Sequence, residues 1–335
     1  MKIIVPMAGM GKRMRPHTLT IPKPLLPIAG KPIVQRLVED ITKIANEKVE
    51  EIAYIIGENF GEETEKNLKA IAASLGAKGT IYYQDEALGT AHAILCAAPS
   101  LNGKVIVAFA DTLFKADFVL ESEKDGIIWV QKIEDPRAFG VVKVDANNVI
   151  TDFIEKPETF VSDLAIIGIY YFKDGAYLRN ELQYLIDNNI KEKGEYQLTN
   201  ALENMKKKGT KFSPGAVTEW LDCGNKDATV YTNKRILEFN KNENLVSDKA
   251  EIIDSIILQP CYIGDNVKIS GSVVGPYASI SKGSVIKDSI IKNSIIQASA
   301  KIKNSHLDNS MVGNNVELNG TAHQVSIGDF TTVNN

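Results

Sequence analysis

Aliphatic residues return at a short fixed interval along the C-terminal part of this chain. Ile257, Ile263 and Ile269 are six apart, as are Val274, Ile280 and Ile286, and steps of five or six continue through Ile291, Ile296, Ile302, Leu307, Val312 and Leu318. Small and polar residues fill the intervals. A longer period agrees with the short one: Asp254-Ser255, Gly271-Ser272, Asp288-Ser289 and Asn304-Ser305 recur every sixteen or seventeen residues. That is about three short strands per coil, and it predicts a parallel β-helix over 250–320. A β-sandwich of short strands is the competing architecture, and the agreement of two periods favours the solenoid. Its coils bury an aliphatic stack and leave flat outer faces, which predicts self-association. Residues 226–246 read as a connecting helix, and 321–335 as a cap or free tail.

Before this region the texture is different. Apolar β-rich runs alternate with helical patterns: strands at 2–6, 51–56, 80–83 and 104–110, and helices at 32–46, 62–75 and 89–98. Such alternation predicts an α/β domain over 1–240, a mostly parallel sheet with helices on both faces. Its ligand site belongs at the carboxyl ends of the strands. The run ending at Gly9 and the run ending at Asp111 can therefore meet at one edge.

Composition narrows the function. A length of 335 residues with 44% hydrophobic and 24% charged residues suits two globular domains. A formal net charge of −4 gives no electrostatic footprint for a nucleic-acid polymer or an anionic membrane. No apolar stretch reaches membrane-spanning length, and the N-terminus lacks a signal-peptide pattern. Cys96, Cys223 and Cys261 are odd in number and lack metal or disulfide spacing, which points to a reducing cytoplasm.

The segment VPMAGMGKRMRPHTLTIPKPLLPIAGKPI, residues 5–33, carries the chemistry. An apolar strand enters a turn containing Ala8, Gly9 and Gly11, followed by the cations Lys12, Arg13 and Arg15, with Lys23 in a proline-rich stretch. Glycines let backbone N–H groups approach phosphate oxygens, and the cations neutralise the charge: this is a polyphosphate cradle. A dinucleotide fingerprint requires a third glycine where Met14 stands, and a P-loop requires Ser or Thr where Arg13 stands, so both fail.

Taken with further motifs in order, this segment resembles the signature of the sugar-1-phosphate nucleotidylyltransferases. Gly9, Gly11, Arg13, Pro16, Lys23 and Pro24 meet the pattern, followed by QDEALGTAHA at 84–93, ADT at 110–112, FGVV at 139–142, EKP at 155–157, GEYQLT at 194–199 and WLDCG at 220–224. The resemblance implies a Rossmann-like domain followed, as on several branches of the family, by a left-handed β-helix of hexapeptide repeats. It implies that a sugar-1-phosphate oxygen attacks the α-phosphorus of a nucleoside triphosphate and pyrophosphate leaves, with no covalent nucleophile. Arg13 and Lys23 are then catalytic, Ala8, Gly9, Gly11 and Lys12 hold the nucleotide, and Lys156 holds the sugar phosphate. Asp111 and Asp222 share Mg²⁺, whose preference for carboxylate and phosphate oxygens suits them.

The spacing of Gln84, Gly89 and Thr90 resembles the uracil-reading loop of N-acetylglucosamine-1-phosphate uridylyltransferases. The expectation is UTP or dTTP, since one methyl group is a small discrimination. Gly140 and Glu155 match positions that contact sugar hydroxyls, with glucose 1-phosphate as the plain expectation. Ile166 and Ile167 stand before Gly168 where the family commonly has Asn or Thr, a departure that favours a deoxy or acylated sugar. Guanylyl transfer to mannose 1-phosphate is the alternative within the family. An acyltransferase in the β-helix, using His306 as base, and a non-catalytic subunit are the alternatives outside it.

Overall fold

The computed structural model describes residues 1–9, 11–116, 119–320 and 324–334. The chain divides into two compact units, one of Met1–Gly9 with Leu37–Trp220, the other of Met10–Arg36 with Leu221–Asn335. The second unit thus takes in most of the basic segment together with the β-helix.

The first unit is built on a mixed sheet. Strands Val105–Ala108, Lys2–Pro6, Glu51–Ile56 and Lys78–Tyr83 lie side by side in that order and run parallel. Ile3, Ile4 and Val5, like Ile52 to Ile56, are buried on both faces of the sheet. Continuous apolar runs, rather than alternating ones, are what such a doubly covered parallel strand requires. Beyond Val105–Ala108 the sheet changes sense. Leu164–Phe172 pairs antiparallel with Val105–Ala108, with Gly126–Lys132 and with Val141–Val144, and Ile150–Ile154 continues antiparallel.

The helices follow their apolar spacing. In Ile33–Ile44, the buried side chains Ile33, Val34, Leu37, Val38, Ile41 and Ile44 form one stripe. The helix expected over 89–98 is shorter: Thr90–Leu95 is α-helical and a 3-10 turn, Ala98–Ser100, follows. Pro99 explains the break, because it has no N–H to donate and disfavours a helical conformation in Ala98.

In the second unit the C-terminal strands form three parallel sheets, consistent with a left-handed β-helix. The aliphatic ladder points inward: every residue from Ile263 to Leu318 named above for its spacing is buried in one core. The serine mark has a physical basis. Asp254, Gly271, Asp288 and Asn304 occupy left-handed corners, with φ between 46° and 57°, a conformation that Gly, Asn and Asp adopt most readily. Each following serine accepts, through Oγ, the N–H of the serine one coil on: Ser272 to Ser255, Ser289 to Ser272 and Ser305 to Ser289, at 3.0–3.1 Å. His306 pairs with Ile290, and Ile290 with Val273, on an exposed outer ladder, so it is a repeat position on the surface. Ile295 belongs to another sheet and pairs with Met311.

One face of the solenoid is covered. Tyr262, Ser279, Ile295, Met311 and Ser326 are in register down one sheet, and Ser279, Ile295 and Met311 are only 1–2% exposed. By contrast Ile256 and Ile290, on another outer ladder, are 59% and 45% exposed. The flat outer faces expected from the repeats are therefore not equivalent. Helix Lys226–Phe239, the expected connector, is tied to the coils: Lys226 Nζ donates to the Asn309 carbonyl (2.9 Å), and Tyr277 donates its hydroxyl to Glu238 (2.9 Å). Of the expected tail, residues 321–323 lie outside the described residues, while Ser326–Ile327 and Thr332–Asn334 continue the stack as strands.

Candidate active site

In the first unit, the parallel strands bring their carboxyl ends to one edge. Ala8 and Gly9 follow Lys2–Pro6, Gln84 follows Lys78–Tyr83, and Asp111 follows Val105–Ala108. A Cβ on Gly9 would meet nothing within 4 Å. Packing does not demand glycine there, so its use is an open approach to the backbone amide.

The turn carrying Asp111 is held by a bulge. Leu164–Phe172 shifts register between Ile166 and Tyr170, with Gly168 at φ 86°. The bulged carbonyls point at the turn: Phe109 N–H donates to Gly168 (3.0 Å) and Thr112 Oγ1 to Ile167 (2.8 Å). The Ile166-Ile167-Gly168 run that departs from the family pattern thus uses its backbone to fix Asp111, while both isoleucine side chains are buried. Ala110, also buried, donates its N–H to Pro6 (3.5 Å).

The expected base loop is closed by a second motif. Tyr196 N–H donates to Leu88 (2.8 Å) and Ala91 N–H to Tyr196 (2.9 Å), so residues 88–91 and 195–198 clasp each other. Gly89, at φ 116°, is required here, because a Cβ would lie 2.4 Å from the Tyr196 carbonyl oxygen. Thr90 caps the helix Leu198–Lys207: its hydroxyl accepts from Leu198 N–H (2.9 Å) and donates to Gln197 Oε1 (3.2 Å). What Thr90 can offer a base is consequently backbone rather than hydroxyl. The Gln84 amide nitrogen meets His92 Nδ1 at 3.2 Å, a partner that the spacing of the loop does not reveal.

Gly140, Glu155, Lys156 and Thr199 converge from separate segments. A Cβ on Gly140 would sit 3.2 Å from Glu155 Oε2 and 3.5 Å from Thr199 Cγ2, and Thr199 Oγ1 donates to Glu155 Oε2 (3.3 Å). Lys156 takes a left-handed conformation, φ 42°, uncommon for a lysine. It is held on both sides, its N–H donating to Phe139 (3.2 Å) and its carbonyl accepting from Lys193 Nζ (2.8 Å), with its ammonium 3.5 Å from Glu155. Lys193 adds a second cation beside Lys156, and its only signal in the sequence is its place before Gly194. Burial, with the Glu155 carboxylate adding to it, holds the Tyr170 phenol neutral, far above its usual range. Trp220 stands edge-on to Phe139 at 4.9 Å, and its indole N–H is buried without a partner among the described residues.

The second unit carries the rest of the signature. Gly11 is left-handed (φ 58°), and a Cβ there would lie 2.9 Å from Lys23 Cβ; its carbonyl accepts from Thr18 Oγ1 (2.8 Å). Lys12 and Arg13 open a 3-10 turn, Lys12–Met14, and are exposed, whereas Lys23 is buried in a second such turn, Lys23–Leu25. Asp222 ends strand Glu219–Asp222, its carbonyl accepting from Thr232 Oγ1 (2.7 Å). Its carboxylate lies over Gly224, where a Cβ would be 2.8 Å from Oδ2. No cluster of three or more His, Cys, Asp or Glu suited to a metal occurs among the described residues.

His17, which the sequence reading did not single out, is buried and meets Ser326 Oγ through Nε2 at 3.1 Å, while Nδ1 has no partner among the described residues. Burial lowers its pKa to about 4, against the raising effect of Asp329, with Lys226 adding to the lowering. An unfolded histidine takes up its proton as pH falls through 6.5, but the folded one resists until about 4. The contribution of neutral His17 is therefore complete above pH 6.5 and lost as pH falls through that window, at most ~3 kcal/mol. In urea melts at pH 7 and pH 4, His17→Gln is expected to lose less stability than the wild type; equal losses would show that His17 is not the titrating group.

Comparison with known proteins places this arrangement. The model of the nucleotidyl transferase family matches residues 2–238. The low-salt glycan biosynthesis nucleotidyltransferase Agl11 of Haloferax volcanii is 31% identical over 75% of this chain and 71% of its own length. The glucose-1-phosphate thymidylyltransferase of Streptomyces antibioticus is 28% identical over 84% of this chain and 82% of its own length. Of the bifunctional protein GlmU from Methanococcus maripaludis the chain spans 62%. Among solved structures, UDP-glucose pyrophosphorylase in complex with UDP-glucose shares the fold, with a TM-score of 0.57 at 24% identity, over 71% of this chain and 98% of that one. With its strand-edge glycines, its clasped loop and the family match across most of its length, the chain belongs to the nucleotidyl transferase family.

Proposed function

We propose that the protein transfers a nucleotidyl group from UTP or dTTP to a sugar 1-phosphate, releasing pyrophosphate and forming an NDP-sugar, with glucose 1-phosphate as the first substrate to try. The observation that carries this reading is the convergence of Gly140, Glu155, Lys156 and Thr199, four residues from three separate motifs, into one polar cluster with two lysines. An acidic acceptor beside cations suits a substrate bearing hydroxyls and a phosphate at neighbouring positions.

In the reaction a phosphate oxygen of the sugar phosphate bonds to the α-phosphorus, and the bond from that phosphorus to the pyrophosphate oxygen breaks. The work falls to positioning and charge compensation. Lys156 and Lys193 hold the sugar phosphate. Arg13 and Lys23 are the cations for the triphosphate in this reading, and the open approach at Gly9 suits its oxygens. Gln84, turned by His92, reads the pyrimidine edge. Mg²⁺ fits the carboxylates available, because it binds through one or two carboxylates plus substrate phosphate and water rather than a closed protein cage. In this reading Asp111 would hold it, and the ion would supply neutralisation of phosphate charge; Asp222, the other carboxylate expected to hold it, belongs to the second unit. The buried side chains of Ile166 and Ile167 give no hydroxyl recognition, which supports a deoxy or acylated sugar as the second choice.

The reading extends to a cytoplasmic enzyme, supported by three free cysteines and by the absence, among the described residues, of a helix long and apolar enough to cross a membrane. It extends also to a homo-oligomer joined through the exposed ladder at Ile256 and Ile290; sedimentation as a monomer contradicts that part. The test of the activity is pyrophosphate release with Mg²⁺ across UTP, dTTP, GTP, CTP and ATP against glucose, N-acetylglucosamine, mannose and galactose 1-phosphates. Release confined to the UTP and dTTP rows supports the base assignment, and release with GTP alone overturns it.

A further inference from the structure

The stretch from Pro16 to Thr20 rests on the last coil of the β-helix. His17 bonds to Ser326, Thr20 donates its hydroxyl to Asp329, and a Cβ on Gly328 would lie 2.9 Å from Pro16 Cβ. The far end of the segment is held by earlier coils. Fully buried Asn233 accepts from Ala29 N–H (2.9 Å) and from Ser279 Oγ (2.7 Å) and donates to the Tyr277 carbonyl (3.3 Å). The Tyr262 ring closes under Gly30, leaving no room for a Cβ, which would fall 2.2 Å from Cε2. Tyr262, Ser279 and Ser326 are register positions of one sheet. The segment is therefore pinned along the solenoid, with Lys23 between its pins and Arg13 three residues before the first of them.

We propose that the final coil positions the phosphate-binding segment for catalysis, with His17, Ser326 and Asp329 as positioning residues. Arg13 is flanked by Met14, whose sulfur receives the Thr229 hydroxyl at 3.5 Å, and Lys23 packs against Gly11. The solenoid is then a structural floor of the reaction rather than an appended tail. A phosphoryl-transfer site depends on ångström-scale placement of its cations, so loosening the pins reduces turnover without removing any group that touches substrate. The proposal rests on the transferase reading for its catalytic consequence, but the pinning itself does not.

The test compares Ser326→Ala combined with Asp329→Asn, and Ser326→Thr alone, with the wild-type chain. Hydrogen exchange of Met14, Arg15, His17 and Leu19, whose amides bond within the segment, is expected to speed up about tenfold in the double variant, while exchange in the strand Glu51–Ile56 stays unchanged. kcat is expected to fall about tenfold, the KM for sugar 1-phosphate to stay within about twofold, and Ser326→Thr to keep most of the activity. Unchanged exchange in the segment, or accelerated exchange with undiminished kcat, overturns the proposal. A wild-type protein without transferase activity overturns the functional reading, and the exchange result still decides the pinning.

Discussion

Asp111→Asn is expected to lower kcat by about three orders of magnitude, with the unfolding midpoint within about 3 °C of the wild type. The geometry separates the two effects. The turn is held by backbone and by Thr112, through the Gly168, Ile167 and Pro6 carbonyls, and these bonds survive the change. Asparagine keeps the shape and removes the charge that a divalent ion requires. The check is steady-state kinetics at saturating substrate, with Mg²⁺ raised to excess, beside a thermal melt. Wild-type turnover in a folded Asp111→Asn protein would remove the metal assignment, and a collapsed melt would show that the carboxylate serves the fold.

Gly89→Ala has the second largest expected effect, through shape. At φ 116° an alanine is strained, and its Cβ would lie 2.4 Å from the Tyr196 carbonyl oxygen and 2.7 Å from the Tyr196 nitrogen. Both contacts are backbone, so no side chain can swing aside. Relief means parting residues 88–91 from 195–198, at the expense of the bonds Tyr196 makes to Leu88 and Ala91 and those of Thr90 to Gln197 and Leu198. Two weakened backbone bonds plus strain come to about 3 kcal/mol. Because the same closure shapes the loop proposed to read the base, the KM for the triphosphate is expected to rise about a hundredfold, more than that for sugar 1-phosphate. A KM for the triphosphate within a factor of about two would leave the clasp without a part in nucleotide binding.

Sequence period carried the β-helix because it is imposed by geometry at every coil. Each aliphatic of the five- and six-residue ladder from Ile263 to Leu318 enters the core, and each Asp, Gly or Asn before the marked serines turns a corner. Cys261, Val267, Ala278, Ala300 and Val316, the other inward residues, escaped notice because residues of varied size fill those places. The strands up to Ala108 were legible from continuous apolar runs, whereas the reversal of sense beginning with Leu164–Phe172 depends on pairing, which no local pattern encodes.

The candidate site divides in the same way. Gly140, Glu155 and Lys156 could be named from their motifs, and the structure brings them together with Thr199, the last residue of GEYQLT. Lys193 and the clasp of Gly89 on Tyr196 are long-range partners of ordinary residue types, and the pairing of His92 with Gln84, eight residues away, follows no spacing rule. The association of residues 10–36 with the solenoid is harder still. It rests on single polar residues, His17, Asn233, Ser279 and Ser326, scattered over the chain, and only tertiary structure gives them a common purpose.

The central claim is tested most directly by following both products of one reaction. With dTTP or UTP, glucose 1-phosphate and Mg²⁺, phosphorus NMR should show one pyrophosphate for each NDP-sugar formed, and added pyrophosphate should return the NDP-sugar to triphosphate and sugar phosphate. Release of inorganic phosphate or nucleoside diphosphate instead, or triphosphate consumption that ignores every sugar phosphate offered, would contradict nucleotidyl transfer.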